Sequence, residues 1–173
     1  MQLSASSVLV ACVGNILLGD DGFGVAVARR LERRAWPAGV DIREFGIRGI
    51  DFLYALLDGY AAAILVDAVP RGGRAGSLYV LAPEPPSTGD ACPLALDAHR
   101  LDPARVLGFV HAMGGRLAHF RVVGCEPGCI AADDEPTMGL SDAVEAAIEP
   151  AVELVATLID RAMRVAQGSA CDA

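Results

Sequence analysis

The sequence predicts an α/β fold of three layers: a mostly parallel sheet of about five strands, one of them antiparallel, flanked by helices. Three observations carry this expectation. Residues 8–13 and 62–66 are continuous apolar runs, as strands covered on both faces require. Stretches of helical period alternate with the strand-like runs, the pattern of βαβ units. Glycine-bearing loops follow the first two strands, at residues 14–24 and 46–49. With 173 residues, 53% hydrophobic and 21% charged, the chain reads as a single domain over residues 1–173, with residues 1–7 and 167–173 as flexible ends.

The elements follow in order. After the first strand, the loop 14–24 carries Gly14, Asn15, Asp20 and Asp21. Loops at the carboxyl ends of strands are where open α/β sheets bind ligands. Aspartate is also a common helix N-cap, which offers one of the pair a structural explanation. Residues 23–34 read as a helix with Val25, Ala28 and Leu31 on its apolar face and Arg29, Arg30, Arg33 and Arg34 gathered at a solvated far end. A turn at 36–39 leads to an alternating strand at 40–45 and a helix over 51–57. The buried strand 62–66 ends on Asp67, a charged residue where burial offers few structural reasons for one. The glycine-rich connection 71–76 predicts a hairpin, so the strand at 77–81 should be the antiparallel one.

Residues 83–93 read as a mobile loop rich in proline, and His99 follows it. Asp102-Pro103 then signals the start of a helix over 104–113. His111 falls within that helix and His119 at the start of the last strand, 120–124, so only His99 is placed like an active-site ligand. An acidic loop containing Asp133, Asp134 and Glu135 precedes Ser141, the expected cap of a long C-terminal helix that Pro150 should kink or break.

A net charge of −8 argues against a nucleic acid or an anionic membrane surface as partner. No basic leader precedes Val8 and no run is long enough to span a bilayer, so a cytoplasmic location is expected. Five cysteines, Cys12, Cys92, Cys125, Cys129 and Cys171, are odd in number and irregularly spaced, which is not a disulfide framework. Cys125 and Cys129 lack the second pair that structural zinc needs, and Cys12 reads as a core residue.

Asp21, Asp67 and His99 remain as the candidate site. Two carboxylates and an imidazole suit a divalent first-row metal with open positions, which could polarise a carbonyl or activate water. Nucleotide binding fits poorly, because the first loop lacks a Gly-Lys-Ser/Thr ending and its two aspartates stand where phosphates would sit. No Gly-x-Ser-x-Gly elbow or Cys–His pairing supports a nucleophile. The residues alone give an α/β domain with a divalent-metal or carboxylate site.

The stretch Gly14-Asn15-Ile16-Leu17-Leu18-Gly19-Asp20-Asp21-Gly22-Phe23-Gly24 closely resembles the N-terminal signature of the hydrogenase maturation endopeptidases, which process the large subunit of nickel–iron hydrogenases. The resemblance continues, in the family's order, through Gly49-Ile50-Asp51, Asp67-Ala68, His99, Gly124-Cys125-Glu126-Pro127 and Met138-Gly139-Leu140-Ser141. It implies an endopeptidase that removes a short C-terminal extension from a hydrogenase large-subunit precursor. Nickel already inserted in that precursor would be the recognition signal, with Asp21, Asp67 and His99 as metal ligands and catalytic residues. Asp21 would serve as ligand or general base. Relatives often carry glutamate there, so the reach is shorter here by one methylene. The implied nickel is borne by the substrate, and no nucleotide is implied. Gly14 and Asn15 would shape the loop presenting Asp21, and Cys125 would be structural. A second reading stays open: a non-catalytic, nickel-sensing chaperone for the immature large subunit. Cleavage itself separates the two.

Overall fold

A computed structural model describes residues 7–84, 102–115, 117, 119–131 and 136–169. Its strands are β1 (Val8–Val13), β2 (Val40–Gly46), β3 (Ala62–Ala68), β4 (Leu78–Leu81) and β5 (His119–Cys125). Its helices are α1 (Phe23–Leu31), α2 (Gly49–Leu56), α3 (Pro103–Ala112), α4 (Asp142–Glu145) and α5 (Ile148–Ser169), with a 3-10 turn at Asp20–Gly22. The strands form one sheet in the order β2-β1-β3-β5-β4, parallel throughout except that β4 runs antiparallel to β5. The three-layer α/β expectation holds.

Strand period divides the core in two. Val8, Val10 and Cys12 of β1 join Ile64 and Val66 of β3 beneath α1 and α5. Leu9, Ala11 and Val13 join Ala63, Leu65 and Val122 beneath α2 and α3. Every residue of β1 is therefore buried, which is why its sequence shows no polar face.

Several boundaries differ from the sequence expectation, each for a local reason. The connection after β3 does not close a hairpin: β4 pairs with β5, and β5 lies between β3 and β4. Phe120, Val122 and Val123 of β5 are buried and belong inside the sheet, whereas β4 exposes Val80 and suits an edge. Helix α1 stops at Leu31, three residues early, where the Trp36 indole N–H donates to the Leu31 carbonyl at 2.8 Å. Arg30, in its last turn, and Arg34, beyond it, are exposed but reach Glu149 and Glu153 on α5, surface pairs of small energetic consequence. The C-terminal helix breaks at residues 146–147, ahead of Pro150. Proline then occupies the first turn of α5, where a missing N–H leaves no helical bond unmade.

Of the ends read as flexible, Ser7 is buried and its carbonyl accepts from the Ala61 N–H at 2.9 Å, and residues 167–169 continue α5. Residues 1–6 and 170–173 lie outside the described residues, as does most of the loop 83–93. Among the described residues no helix is long and apolar enough to cross a membrane.

The chain leaves β1 toward β2 on one side and returns to β3 on the other. The loops after β1 and β3 thus diverge, and the crevice between them is the expected ligand site.

Candidate functional site

A cavity of about 690 Å³ opens at that crevice. Val13, Gly46 and Asp67, at the carboxyl ends of β1, β2 and β3, form part of its wall, and Asp21 joins them. Two of the three predicted site residues thus face one space. His99 lies outside the described residues. The other histidines stand elsewhere: His111 is exposed on the last turn of α3, and His119 begins β5, at the opposite end of the sheet from Asp67.

Asp21 is positioned by its own loop. The Asn15 backbone N–H donates to Asp21 Oδ2 at 2.8 Å, while Asn15 Oδ1 accepts from the Leu17 N–H at 3.0 Å. Neither aspartate caps α1: Gly22 holds that position, with no side-chain hydrogen bond. The bend requires Gly14, whose φ is 141°; a Cβ there would lie 2.0 Å from the Asp21 carbonyl oxygen. Gly24 answers a different need. A Cβ on it would meet the Val13 carbonyl oxygen at 2.0 Å and that of Val66 at 2.6 Å, so only glycine lets α1 start against the ends of β1 and β3. Gly14→Ala should cost at least about 1–3 kcal/mol from backbone strain alone, readable by urea unfolding. Stability equal to wild type would show that the loop tolerates another path.

Asp67 follows Ala63 and Leu65 by strand period, on the face that α2 and α3 cover lower down. Its Oδ1 accepts from the Ala68 N–H at 2.8 Å. Burial first, and the negative charge of Asp21 second, push its carboxyl well above the usual carboxylate range, against the smaller opposing effect of that hydrogen bond. A carboxyl whose ionisation is opposed by burial and by a neighbouring carboxylate in a cleft is poised to keep a proton or to receive a cation.

Two further carboxylates hold this cleft together, and sequence reading assigned neither its task. Asp20 is buried and takes four hydrogen bonds. Its Oδ2 accepts from the N–H groups of Gly128 (2.7 Å) and Cys129 (2.9 Å) and from Ser141 Oγ (2.9 Å), and its Oδ1 accepts from the Ser141 N–H (2.6 Å). Burial would raise its pKa, but the bonds from Ser141, Cys129 and Gly128 outweigh it and hold the carboxyl below its ordinary value. Ser141 precedes α4 as expected, yet its hydroxyl serves Asp20 and makes no cap bond. Glu126, also buried, accepts from the N–H groups of Arg71 (2.9 Å) and Gly72 (3.0 Å) and from the Tyr79 hydroxyl (2.8 Å). Burial opposes its charge, and these donors, Tyr79 foremost, lower its pKa in spite of it. Asp20 thus ties the loop after β1 to the segments 128–129 and 141, and Glu126 ties the loop after β3 to β4. The only hint in the sequence was that Gly124–Pro127 and Met138–Ser141 matched motifs without an evident task.

Among the described residues, no thiol takes part in this arrangement. Cys12 and Cys125 are buried, and Cys129 is exposed; Cys92 and Cys171 lie outside the described residues. Burial pushes the Cys125 thiol up to about 11, consistent with a structural residue.

Residues 25–158 match the family model described as hydrogenase maturation protease. The hydrogenase 2 maturation protease of Escherichia coli (strain K12) is 32% identical over 149 residues, covering 86% of this chain and 87% of that protein. Among solved structures, the hydrogenase maturating endopeptidase HybD from Escherichia coli superposes with a TM-score of 0.71 at 28% identity, covering 90% of this chain and 93% of that one. A hydrogenase 2 maturation peptidase from Thaumarchaeota archaeon SCGC_AB-539-E09 gives 0.67 at 31% identity, covering 89% and 98%.

Proposed function

The chain belongs to the hydrogenase maturation protease family, and from that premise we propose that it removes the C-terminal extension of a nickel–iron hydrogenase large-subunit precursor after nickel insertion. The observation that supports this reading is the placement of Asp21 and Asp67 in one cavity at the switch point of the sheet. Their mutual repulsion is what an arriving divalent cation relieves, and occupancy would restore the ionised form of Asp67.

Nickel enters as part of the substrate. Asp21, Asp67 and His99 are the residues that would hold it, and Asp102 lines the cavity with the two aspartates. Two carboxylates and an imidazole, without a thiolate, make a site that recognises a metal held mainly by the precursor. When bound there, the metal would supply polarisation of the scissile carbonyl. Water adds to the carbonyl carbon, and Asp21 takes the proton of that water and passes it to the departing amine nitrogen. The Asn15 N–H fixes the Asp21 carboxylate for this task, while Asp20 and Glu126 keep the surrounding loops from shifting.

The test is a processing assay with nickel-loaded and nickel-free precursor from the same source, read by product mass. Loss of a C-terminal peptide from the loaded form alone supports the proposal. Stable binding without cleavage replaces it with the chaperone reading. Cleavage of both forms removes nickel as the signal.

A further inference from the structure

The described residues leave ten large apolar side chains exposed. Six of them stand on segments that line or adjoin the mouth of the cavity: Ile16, Leu17, Ile47, Ile130 and Met138 on loops, and Ile50 in the first turn of α2. Random scatter would not place them so, and single exposed apolar residues need explanation only when they gather. Ile47 and Ile130 line the cavity itself. Asn15 and Gly49, the neighbours of Ile16 and Ile50, do so as well. Leu17 is stitched to the Met138 segment, since the Thr137 N–H donates to the Leu17 carbonyl at 2.8 Å. The loop 16–19 is further joined to Ile130 and Ala131 by the bridge from Gly19 and by the Ala131 N–H bond to the Leu18 carbonyl.

These side chains form two banks. Ile47 and Ile50 follow β2, and Leu17, Ile130 and Met138 gather beyond β1 and β5. Asp21, in the loop after β1, and Asp67, near the end of β3, come from the two strands that lie between β2 and β5. On the second bank, residues 16–19, 128–131 and 136–140 carry no acidic or basic side chain, while the intervening Asp133, Asp134 and Glu135 lie outside the described residues. Arg48 and Asp51 stand exposed beside Ile47 and Ile50 and pair with each other, and exposed apolar side chains gathered in this way beside a cleft are what an interface core is made of.

We propose that this rim docks an extended apolar segment of the precursor, laid across the crevice with its scissile bond over Asp21 and Asp67. The occupant follows from continuity: Ile47 and Ile130 belong both to the rim and to the cavity that takes the scissile bond. The inference therefore rests on the function proposed above. From β2 to β5 is three strand spacings, about 14 Å, which an extended chain covers in roughly four residues. Apolar side chains about that far apart, one on each side of the cleaved bond, engage the two banks.

The experiment measures KM and kcat for nickel-loaded precursor with wild type, Leu17→Ser/Met138→Ser, Ile50→Ser and, as a control away from the rim, Val165→Ser. None of these residues lines the cavity, so folding and kcat should be retained. The expected result is a KM raised about tenfold for each rim variant, with Val165→Ser at the wild-type value. Leu17→Met with Met138 retained should keep the wild-type KM, because it preserves apolar bulk on that bank. Unchanged KM in the rim variants beside normal wild-type cleavage overturns the docking inference and leaves the protease reading intact. An equal rise in Val165→Ser overturns it too. Should wild type bind the precursor without cutting it, the protease reading fails, and docking is decided by whether the rim variants weaken that binding about tenfold.

Discussion

Asp67→Asn is expected to abolish processing and, at neutral pH, to raise the melting temperature. Asparagine keeps the shape of the side chain and can still accept the Ala68 N–H at Oδ1. It removes the charge that burial and Asp21 make costly. The folded-state pKa of Asp67 lies above its unfolded value. Its contribution to stability is therefore full below the ordinary carboxylate pKa and is lost as pH rises through the folded-state value. Wild type bears that loss at neutral pH and the variant does not, so the two melting temperatures should converge on acidification. Processing should fall by at least about 100-fold, because a neutral amide neither ligates a cation well nor assists proton transfer. Calorimetry at two pH values and product masses check both halves. An unfolded variant would make Asp67 structural, and wild-type processing would remove it from the site. Opposite signs for stability and activity are what a group kept for chemistry produces.

What could be read from the sequence followed how locally each feature is determined. The strands β1 and β3 announce themselves because every side chain in them is buried, and strand period then carries Asp67 to the cleft face. Asp21 is legible because a glycine loop after a first strand is where ligands bind. The place of β4 was not legible. The connection after β3 is short enough for a hairpin, and only the greater burial of β5, some 40 residues later in the chain, decides which strand takes the interior position. The partners of Asp20 were out of reach for the same reason. They lie 108 to 121 residues away, and nothing in the local pattern distinguishes a carboxylate that clamps distant amides from one that caps its own helix. The two adjacent aspartates thus divide the work: Asp20 turns inward to hold the loops, and Asp21 faces the cavity. Glu126 does for the β3 loop what Asp20 does for the β1 loop, and both act by accepting backbone N–H bonds that a short loop cannot satisfy for itself.

Asp20→Asn should destabilise the fold by about 3 kcal/mol or more, since several buried donors lose an acceptor at once. For a chain of this size that corresponds to a fall of about 6–12 °C in melting temperature. No orientation of the amide rescues the site. With its NH2 at the Oδ2 position it faces the N–H groups of Gly128 and Cys129, and when flipped it faces the N–H of Ser141. Ser141→Ala removes one donor and leaves the carboxylate in place, so it should cost only about 1 kcal/mol. The pH dependence runs opposite to that of Asp67. The folded-state pKa of Asp20 is depressed, so its stabilisation is present above the ordinary carboxylate value and is lost as pH falls through the lower folded-state value. Wild type should therefore lose stability in acid more steeply than Asp20→Asn does, an outcome that acid titration followed by circular dichroism would show. Equal slopes would mean that the clamp does not hold in solution. Processing should fall in this variant too, but together with stability, because the loop that carries Asp21 loses the side-chain clamp on Gly128, Cys129 and Ser141. Loss of activity with a stabilised fold at position 67, and with a loosened fold at position 20, would separate the residue that meets the substrate from the one that holds the cleft open to it.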